Sequence, residues 1–598
     1  MLIISYQKQT HRIIFSISEH SFAWIEIRRL CEERTRECRN TSATSLELPW
    51  WEFLALREQL KYLFQKHQLK ISFDAPTQEL LKKSLLKQKS YLDGCQMEPV
   101  SKEELKHTLD VKGFKRNLTE LQFRNLSKLC KFNSAASFSV PGAGKTTEAL
   151  AYFYIKKNKQ SKLLIVAPKN AFAAWEQQIV ECIEEPPEIV RLRGGYQTIK
   201  DLLKTDPEII MITYQQLPNV SDLISDYLSK HEFFMFVDES HRMKRGTKGK
   251  IGTAILSLAH IPEKKLILSG TPMPNGIIDL VPQFNYLYPE LNISEESVVD
   301  HLQNIYVRTN KEELDLGQRF IIPKVIPMTE RQQKLYDLLR SEVARDAEIL
   351  LKAKDRNVLR SIGKSVLRLI QLTSNPALLA KTDFNYHPIL RDVLLEGDSP
   401  KIKYVCDRAR ELAKENKKTI IWSSFVENVE LITLRLRDIG ADYIHGGVDS
   451  GEEDDVESRE AKIKKFHEDP NAFVLVANPA AASEGISLHE VCHNAIYLDR
   501  NYNAAHFLQS MDRIHRYGPN RHIPKYIEVV ISPDSIDESV NRRLEDKINL
   551  MADVLNDSSL RVGLEYSDEV DEDNIEEIYL DDADIDDFMH HMLEGGGE

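Results

Sequence analysis

Two groups of short apolar runs constrain the fold of this chain more than any other feature. The first group, within residues 113–310, contains LLIVAP, EIIMITY, FFMFVDE and KLILSG; the second, from 418 to 531, contains TIIWSSF, FVLVAN, NAIYLDR and YIEVVIS. Each run has the length of a strand and ends in polar residues, Gly or Pro, which is typical of buried parallel strands. The sequence therefore predicts an α/β fold with two similar lobes.

Three further segments complete the predicted organisation. Residues 1–112 mix short apolar stretches with helical patterns and are predicted to form an N-terminal accessory domain. Residues 113–310 and 401–550 form the two lobes, the charged residues 311–400 form a helical spacer, and residues 551–598 form an acidic tail. In the first segment Trp50 and Trp51 lie in a stretch with helical apolar spacing, which favours core positions over surfaces for base stacking.

The net charge of −13 arises in the tail. Residues 561–598 contain fifteen acidic residues and one basic residue, so the chain's 79 Lys and Arg and 92 Asp and Glu become 78 and 77 without them. The body is therefore close to neutral, and a neutral body can carry a basic cleft that binds nucleic acid.

Hydrophobicity and cysteine pattern also indicate the cellular compartment in which the protein is expected. No apolar run approaches the ~18–20 residues that span a bilayer, and the N-terminus has no basic stretch before an apolar core. The seven cysteines are scattered without a CxxC pair, which favours reduced thiols. These features predict an intracellular protein that is neither secreted nor embedded in a membrane.

A phosphate-binding loop is predicted at residues 139–147, SVPGAGKTT. Such a loop needs small residues whose backbone N–H groups wrap the phosphates, a lysine for the β/γ oxygens, and a hydroxyl for Mg²⁺. ATP is thus the predicted ligand, although a chance GKT in a loop is the alternative, and Ser139 stands where the usual pattern has its first glycine. The loop residues predicted to hold nucleotide are Gly142, Ala143, Gly144, Lys145, Thr146 and Thr147.

Two charged pairs complete the predicted hydrolytic site. In FFMFVDESH, Asp238 is predicted to hold Mg²⁺ with Thr146, and Glu239 to orient and deprotonate the attacking water. In QSMDRIHRYG, Arg513 and Arg516 are three residues apart on one face of a helical turn and are predicted to reach the γ-phosphate as arginine fingers. A solvent-facing acidic strand end and a solvated basic helix are the alternatives.

In this order the motifs resemble those of superfamily-two helicases, and the segments between them resemble the SWI/SNF-type branch of double-stranded DNA translocases. The segments LSGTPMPNGIIDLVPQFNYLYP and LRLIQLTSNPALL carry this resemblance, which covers about residues 113–548. It implies RecA-like lobes that use ATP and Mg²⁺, with adenine contacted by Gln122 of LTELQ. It also implies nucleotide contacts by Gly485 and Gln509, and DNA contacts by Lys169, Thr213, Ser423, Ser483 and Asn503.

Some positions depart from the family pattern. Ala482, Ser483 and Ser487 in NPAAASEGISLH, and Tyr502 in DRNYNAAH, replace the residues that the family usually has there. We interpret the chain as a divergent member of prokaryotic or viral origin. In a prokaryote it would lie in the cytoplasm, associated with the nucleoid.

The resemblance implies a motor that tracks double-stranded DNA without separating its strands. ATP binding would close the cleft between the lobes and hydrolysis would release it, while phosphate contacts grip the DNA alternately. A strand-separating helicase and an ATP-gated nucleic-acid clamp that does not translocate are the alternatives.

Protein partners are expected at the N-terminal domain or the acidic tail. In the tail, Ile585, Phe588, Met589 and Met592 form an apolar stripe at helical spacing. This pattern is compatible with a helix that forms in a partner's groove or against the chain's own basic DNA cleft, and the alternative is a solvated terminus.

Overall fold

The computed structural model describes residues 1–561 apart from 9, 36, 292, 352–366, 382–385, 447–457 and 483–485. The chain divides into two compact units, Met1–Thr309 and Asn310–Glu598. The predicted contacts Ser483 and Gly485, and the apolar stripe of the tail, lie outside the described residues.

A small mixed sheet forms the N-terminal part of the first unit. Its strand order is β3-β4-β2-β1-β5, antiparallel except for the parallel pair β1 and β5. Trp24 and Trp50 are fully buried in its core and Trp51 is buried as well, which confirms the predicted core role of the tryptophan pair. The elements are β1 Leu2–Gln7, β2 Arg12–Ile17, α1 Phe22–Arg34, β3 Arg39–Ser42, β4 Ser45–Pro49, α2 Trp50–Lys66, β5 Ile71–Phe73, α3 Ala75–Gln96 and α4 Lys102–Val111.

A seven-stranded sheet forms the rest of the first unit. Every neighbouring pair is parallel, in the order β12-β6-β11-β10-β7-β9-β8. The four apolar runs predicted as strands form β7, β9, β10 and β11, so this prediction is confirmed. The elements are α5 Glu120–Leu129, β6 Ser134–Ser137, α6 Lys145–Lys156, β7 Ser161–Val166, α7 Phe172–Cys182, β8 Ile189–Arg191, α8 Tyr196–Leu203, β9 Ile209–Ile212, α9 Ser221–Leu228, β10 Glu232–Asp238, α10 Lys250–Leu258, β11 Lys264–Leu268, α11 Leu280–Leu287, α12 Glu295–Ile305 and β12 Tyr306–Val307.

The second unit contains a six-stranded parallel sheet in the order β13-β18-β17-β14-β16-β15. The four predicted runs of the second group form β14, β16, β17 and β18. Residues 367–374 are also helical. The other elements are β13 Arg319–Val325, α13 Glu330–Leu351, α14 His387–Leu394, α15 Pro400–Lys414, β14 Lys418–Trp422, α16 Val426–Arg435, β15 Asp442–Ile444, α17 Arg459–Glu468, β16 Val474–Ala477, α18 Pro479–Ala482, β17 Cys492–Tyr497, α19 Ala504–Met511, β18 Lys525–Ile531 and α20 Ile536–Val554.

One strand lies where the sequence predicts a helical spacer. Strand β13 pairs along its whole length with β18, from Arg319 opposite Lys525 to Val325 opposite Ile531. The strand is at the edge of the sheet and most of it is half-buried, so it lacks the continuous apolar run of a central strand. It also contains Pro323, which an edge strand tolerates. The predicted spacer therefore contributes to the second sheet as well as containing helices.

Two general findings concern the described part of the chain. Every helix there is too short or too polar to cross a bilayer. All seven cysteines lie within the described residues and are free thiols, five of them buried.

Candidate ATP and DNA sites

The predicted phosphate-binding loop joins strand β6 to helix α6. Gly142 and Gly144 have φ angles of +89° and +85°, in the left-handed region that glycine adopts without strain. Gly144 is the N-cap residue of α6, so the helix N-terminus faces the loop. The Nζ atom of Lys145 donates to the backbone oxygen of Ser139, 2.9 Å away. A lysine that curls back over its own loop is placed to meet phosphate oxygens there.

Gln122 lies directly against this loop. It belongs to the first turn of α5, where its Oε1 atom accepts from the backbone N–H of Thr119 at 3.0 Å. A Cβ atom added to Gly144 would lie 2.4 Å from Nε2 of Gln122, so glycine is required for this approach. The structure thus brings together Gln122, which the resemblance identifies as the adenine contact, and the phosphate-binding loop.

The two threonines of the loop face different surroundings. Thr146 is half-buried at the start of α6. Thr147 is buried, and its hydroxyl donates to Oε1 of Gln178 on α7 at 2.8 Å. The Thr147 side chain therefore joins α6 to α7, and its backbone is the part left to face a nucleotide.

Asp238 ends strand β10, two strands away from β6 in the sheet. Its Oδ2 atom accepts from the indole Nε1–H of Trp175 at 2.9 Å, and its Oδ1 atom accepts from the backbone N–H of Glu239 at 3.0 Å. Burial and the neighbouring Glu239 raise the pKa of Asp238 to about 6. The sequence does not indicate Trp175 as a site residue, because its partner Asp238 is 63 residues away in the chain. The structure places its N–H on the proposed Mg²⁺ ligand.

Glu239 has an unusual backbone for a residue with a side chain, with φ at +53°. The hydroxyl of Tyr214 donates to the backbone oxygens of Asp238 and Glu239 and stabilises this turn. The Nδ1 atom of His241 lies 3.3 Å from Oε2 of Glu239 and 3.1 Å from the hydroxyl of Ser269. The turn at Glu239 is thus held by Tyr214, and its carboxylate lies beside His241.

The carboxylate of Glu239 is charged and incompletely bonded. Burial opposes its ionisation, but His241, Lys145 and Arg242 outweigh burial and lower its pKa to about 2. Its buried Oε2 atom lies 3.3 Å from Nδ1 of His241 but accepts no well-aligned hydrogen bond from a described residue. An ionised carboxylate that can still accept a well-aligned hydrogen bond suits a residue that orients water.

These residues fit ATP and Mg²⁺. The loop has the glycines and the lysine that phosphates need, and Thr146 and Asp238 supply one hydroxyl and one carboxylate for the metal. In the described part of the chain no three His, Cys, Asp or Glu residues cluster as a protein-only metal site. A nucleotide-bound Mg²⁺ does not require such a cluster, because phosphates and water supply its remaining ligands.

Lys169 and Thr213 follow the next two strands of the same sheet. Lys169 is exposed just after β7, and Thr213 is half-buried directly after β9. The hydroxyl oxygen of Thr213 accepts from the backbone N–H of Gln216 at 3.2 Å, which orders the turn. Because parallel strands end at one edge, both predicted DNA contacts share that edge with the ATP-site residues.

Ser423, the predicted DNA contact after β14, is completely buried. Its hydroxyl donates to Oδ2 of Asp499 at 2.6 Å, and the backbone N–H of Ser424 donates to Oδ1 at 2.6 Å. Ser374 donates to the same carboxylate at 2.9 Å. The hydroxyl of Ser423 is therefore used inside the second unit, because a buried carboxylate needs several donors, and it is not exposed at the surface of the unit.

Asn503 and Gln509 belong to helix α19. Asn503 caps the helix, and its Oδ1 atom accepts from the backbone N–H groups of Ala505 and His506 at 3.1 and 3.2 Å. It is half-buried, so its amide N–H₂ group is the part available to DNA. Gln509 is buried near the other end of the helix.

Arg513 and Arg516 differ in their surroundings. Helix α19 ends at Met511, and the two arginines follow in turns instead of lying on one helical face. Arg513 is buried, and its guanidinium donates to the backbone oxygens of Gln509 and Ile486 at 2.9 and 2.8 Å. Arg516 is half-buried and forms no hydrogen bond or ion pair with any described residue, while burial, opposed by Asp512, lowers its pKa. Arg516 thus has the guanidinium that a phosphate could engage.

The fold and the site together define a P-loop enzyme with a second parallel-sheet unit, the class to which helicase-like ATPases belong. An SNF2-related domain matches residues 138–377, and a helicase conserved C-terminal domain matches residues 400–518. The chain belongs to the SNF2 family of superfamily-two helicase-like proteins.

Similar proteins include the ATP-dependent helicase FUN30 of Saccharomyces cerevisiae, 22% identical over 507 residues, covering 68% of this chain and 44% of that protein. The SWI/SNF chromatin-remodeling complex subunit snf22 of Schizosaccharomyces pombe is 23% identical over 460 residues, covering 69% of this chain and 26% of snf22. The chain thus spans less than half the length of these relatives. The Sulfolobus solfataricus SWI2/SNF2 ATPase core in complex with dsDNA is 20% identical, with a TM-score of 0.33, covering 75% of this chain and 95% of that one.

Proposed function

We propose that this enzyme couples ATP hydrolysis to movement along double-stranded DNA. The observation that supports this most directly is the shared edge of the seven-stranded sheet. The nucleotide residues follow β6 and β10, and the predicted DNA contacts Lys169 and Thr213 follow the adjacent strands β7 and β9. A shift at one strand end is transmitted to its neighbours, because the strands are hydrogen-bonded into one rigid layer.

In this proposal the first unit performs the hydrolysis. Lys145 neutralises the β/γ-phosphate oxygens, and Gln122 contacts the adenine. Thr146 and Asp238 hold Mg²⁺, which when bound supplies positive charge at the phosphates. Glu239 uses its Oε2 atom, which accepts no well-aligned hydrogen bond from a described residue, to orient the attacking water and accept its proton.

The second unit supplies the arginine that completes charge neutralisation. Arg516 is the proposed finger, because its guanidinium lacks a hydrogen-bond partner among the described residues. Arg513 is proposed to hold the turn in place through its two backbone carbonyls. An arginine at the γ-phosphate raises phosphoryl-transfer rates about 10³–10⁵-fold in related chemistry.

The proposed grip on DNA is through phosphates. Lys169, Thr213 and Asn503 present a cation, a hydroxyl and an amide, which bind backbone oxygens and carry little sequence information. Ser483 and Gly485 remain proposed contacts with DNA and nucleotide from the resemblance alone. Ser423 is proposed to support its neighbour Ser424 through Asp499.

A triplex-displacement assay combined with ATPase measurements tests the proposal. We expect long duplexes to stimulate turnover more than short ones, and ATP to drive release of a triplex-forming strand without unwinding a fork. Stimulation should be nearly independent of base sequence and should fall steeply as salt rises, because phosphate contacts release counterions. Fork unwinding would favour a strand-separating helicase, and DNA-stimulated turnover without displacement would favour a nucleotide-gated clamp.

A further inference from the structure

A buried polar network lies beneath the phosphate-binding loop and ends at the last residue of the first unit. Its members belong to the Gln122 helix α5, strand β6, the loop, helix α6 and the segment after β12. All are at most 2% exposed: Asn125, Ser137, Ser139, Glu148 and Thr309. Five buried polar side chains in one cluster are costly unless each is bonded, and here they bond to one another.

Glu148 is at the centre of this network. Its Oε1 atom accepts from Nδ2 of Asn125 at 2.8 Å, and its Oε2 atom accepts from the hydroxyl of Ser137 at 3.1 Å. Nδ2 of Asn125 also donates to the hydroxyl oxygen of Thr309 at 3.0 Å. Asn125 thus connects the carboxylate on the phosphate-binding helix to the end of the unit.

Ser139 connects the network to the site of hydrolysis. Its hydroxyl oxygen accepts from the backbone N–H of Thr309 at 3.0 Å, while its backbone oxygen accepts from Nζ of Lys145 at 2.9 Å. The backbone N–H of Val140 donates to the oxygen of Thr309 at 3.0 Å, and that of Phe138 donates to Val307 at 2.9 Å. The segment that leaves the first unit is therefore hydrogen-bonded along the start of the phosphate-binding loop.

We infer that the nucleotide state at Lys145 reaches Thr309, and so the chain that leaves the first unit, through two hydrogen bonds that act together: the Ser139 hydroxyl accepting from the Thr309 N–H, and the Asn125 amide donating to the Thr309 hydroxyl. When Lys145 turns to phosphate oxygens, it releases the backbone oxygen of Ser139. The hydroxyl of Ser139 accepts from the N–H of Thr309, so a change at Ser139 also reaches Thr309. This inference rests on the proposed motor function. It also accounts for a serine where the usual loop has glycine, because glycine has no hydroxyl for Thr309.

Two substitutions at Thr309 separate this role from a general structural one. Thr309→Val keeps the shape but removes the hydroxyl oxygen that Asn125 bonds, and Thr309→Ser keeps the hydroxyl. Ser139→Ala removes the acceptor for the Thr309 N–H directly. Ser225→Ala is the matched control, because Ser225 is a buried serine of the same unit whose hydroxyl has no hydrogen-bond partner among the described residues.

The readouts are hydrogen exchange of the peptide containing Thr309, without nucleotide and with a slowly hydrolysed ATP analogue, and triplex strands displaced per ATP hydrolysed. In the unmodified protein we expect the analogue to change exchange at Thr309. In Ser139→Ala and Thr309→Val this difference should vanish, and displacement per ATP should fall about tenfold, a typical size for coupling between sites. Thr309→Ser and Ser225→Ala should behave as the unmodified protein.

The inference would be overturned if hydrogen exchange at Thr309 in the unmodified protein were the same with and without nucleotide. It would also be overturned if Thr309→Val and Thr309→Ser lost displacement per ATP to the same extent. If Ser139→Ala does not fold, the Thr309 pair decides alone. A protein that displaces no triplex but shows nucleotide-dependent exchange, abolished by Ser139→Ala, would contradict the proposed motor while supporting the transmission through Ser139.

Discussion

The acidic residues at the carboxyl ends of the strands differ between the two parallel sheets in how fully they are hydrogen-bonded. In the first unit the edge carries Glu239 in a left-handed backbone conformation, with a buried oxygen that lies 3.3 Å from His241 but accepts no well-aligned hydrogen bond from a described residue. In the second unit the edge carries Asp499, whose carboxylate accepts from Ser374, Ser423 and Ser424. The carboxylate of Glu239 can therefore accept a further hydrogen bond, whereas the oxygens of Asp499 are already bonded within the fold.

This difference indicates which unit holds the reacting groups. An incompletely bonded buried carboxylate destabilises a protein by about 1–3 kcal/mol, so its presence suggests a ligand that completes it. The Asp499 carboxylate, in contrast, accepts hydrogen bonds at both oxygens and needs no ligand to complete it. Arg516 is the exception in the second unit, since its guanidinium is left unbonded by the described residues.

Substitution of Arg516, with Arg513 for comparison, tests this exception, and it has the largest expected effect on the ATPase rate. Arg516→Ala should lower the maximal ATPase rate about 10³–10⁵-fold while ATP binding and thermal stability stay close to normal. Arg513→Ala should lower the stability of the second unit by about 1.5–3 kcal/mol, because two backbone carbonyls lose a charged donor. Steady-state kinetics and thermal melts measure both. Normal turnover in Arg516→Ala would remove the finger assignment.

Lys145→Ala and Glu239→Gln should both abolish efficient hydrolysis, by different routes. Glu239→Gln keeps the shape but removes the base, so turnover should fall about 10²–10⁴-fold while ATP still binds. Lys145→Ala removes positive charge from the phosphates, so binding itself should weaken. Titration with a fluorescent ATP analogue separates the two, and equal loss of affinity in both variants would count against the assignments.

Trp175→Phe tests whether the hydrogen bond from Trp175 to Asp238, the proposed Mg²⁺ ligand, affects metal binding. The ring remains to fill the core, but Asp238 loses the indole N–H at 2.9 Å. Removing such a supporting hydrogen bond typically costs about 10–100-fold in metal affinity or activity. We expect the Mg²⁺ concentration for half-maximal ATPase to rise, while ATP binding without metal is unchanged. Trp422→Phe, at a buried tryptophan whose N–H has no partner in the described structure, is the control.

The smallest effect on catalysis is expected at Asp499. Asp499→Asn replaces one acceptor oxygen by an amide that meets donors, so the free energy of unfolding should fall by about 1–3 kcal/mol. ATPase activity per folded molecule, without DNA, should stay within about twofold, because Asp499 is proposed to act only within the scaffold. Glu490→Gln, at an exposed carboxylate of the same unit, should change neither quantity. A large loss of basal turnover without loss of stability would place Asp499 in the reaction.

The sequence by itself determined the features that depend on local patterns. Apolar runs of strand length predict both parallel sheets, because a strand covered on both faces needs a continuous apolar stretch. The glycines, lysine and threonine of residues 142–146 predict the phosphate-binding loop, since its backbone geometry requires those residue types in order. Asp238 and Glu239 are found because they directly follow such a strand.

The tertiary structure decided everything that depends on partners distant in the chain. The pairing of Trp175 with Asp238 spans 63 residues, and that of Ser139 with Thr309 spans 170. The sequence does not show whether Ser423 and Arg513 face solvent or the interior. Only the folded structure shows that their donors already bond to other groups of the second unit. Hydrogen-bond partners are chosen by proximity in the folded chain, so residue type and spacing alone cannot distinguish a group that supports the site from one that acts in it.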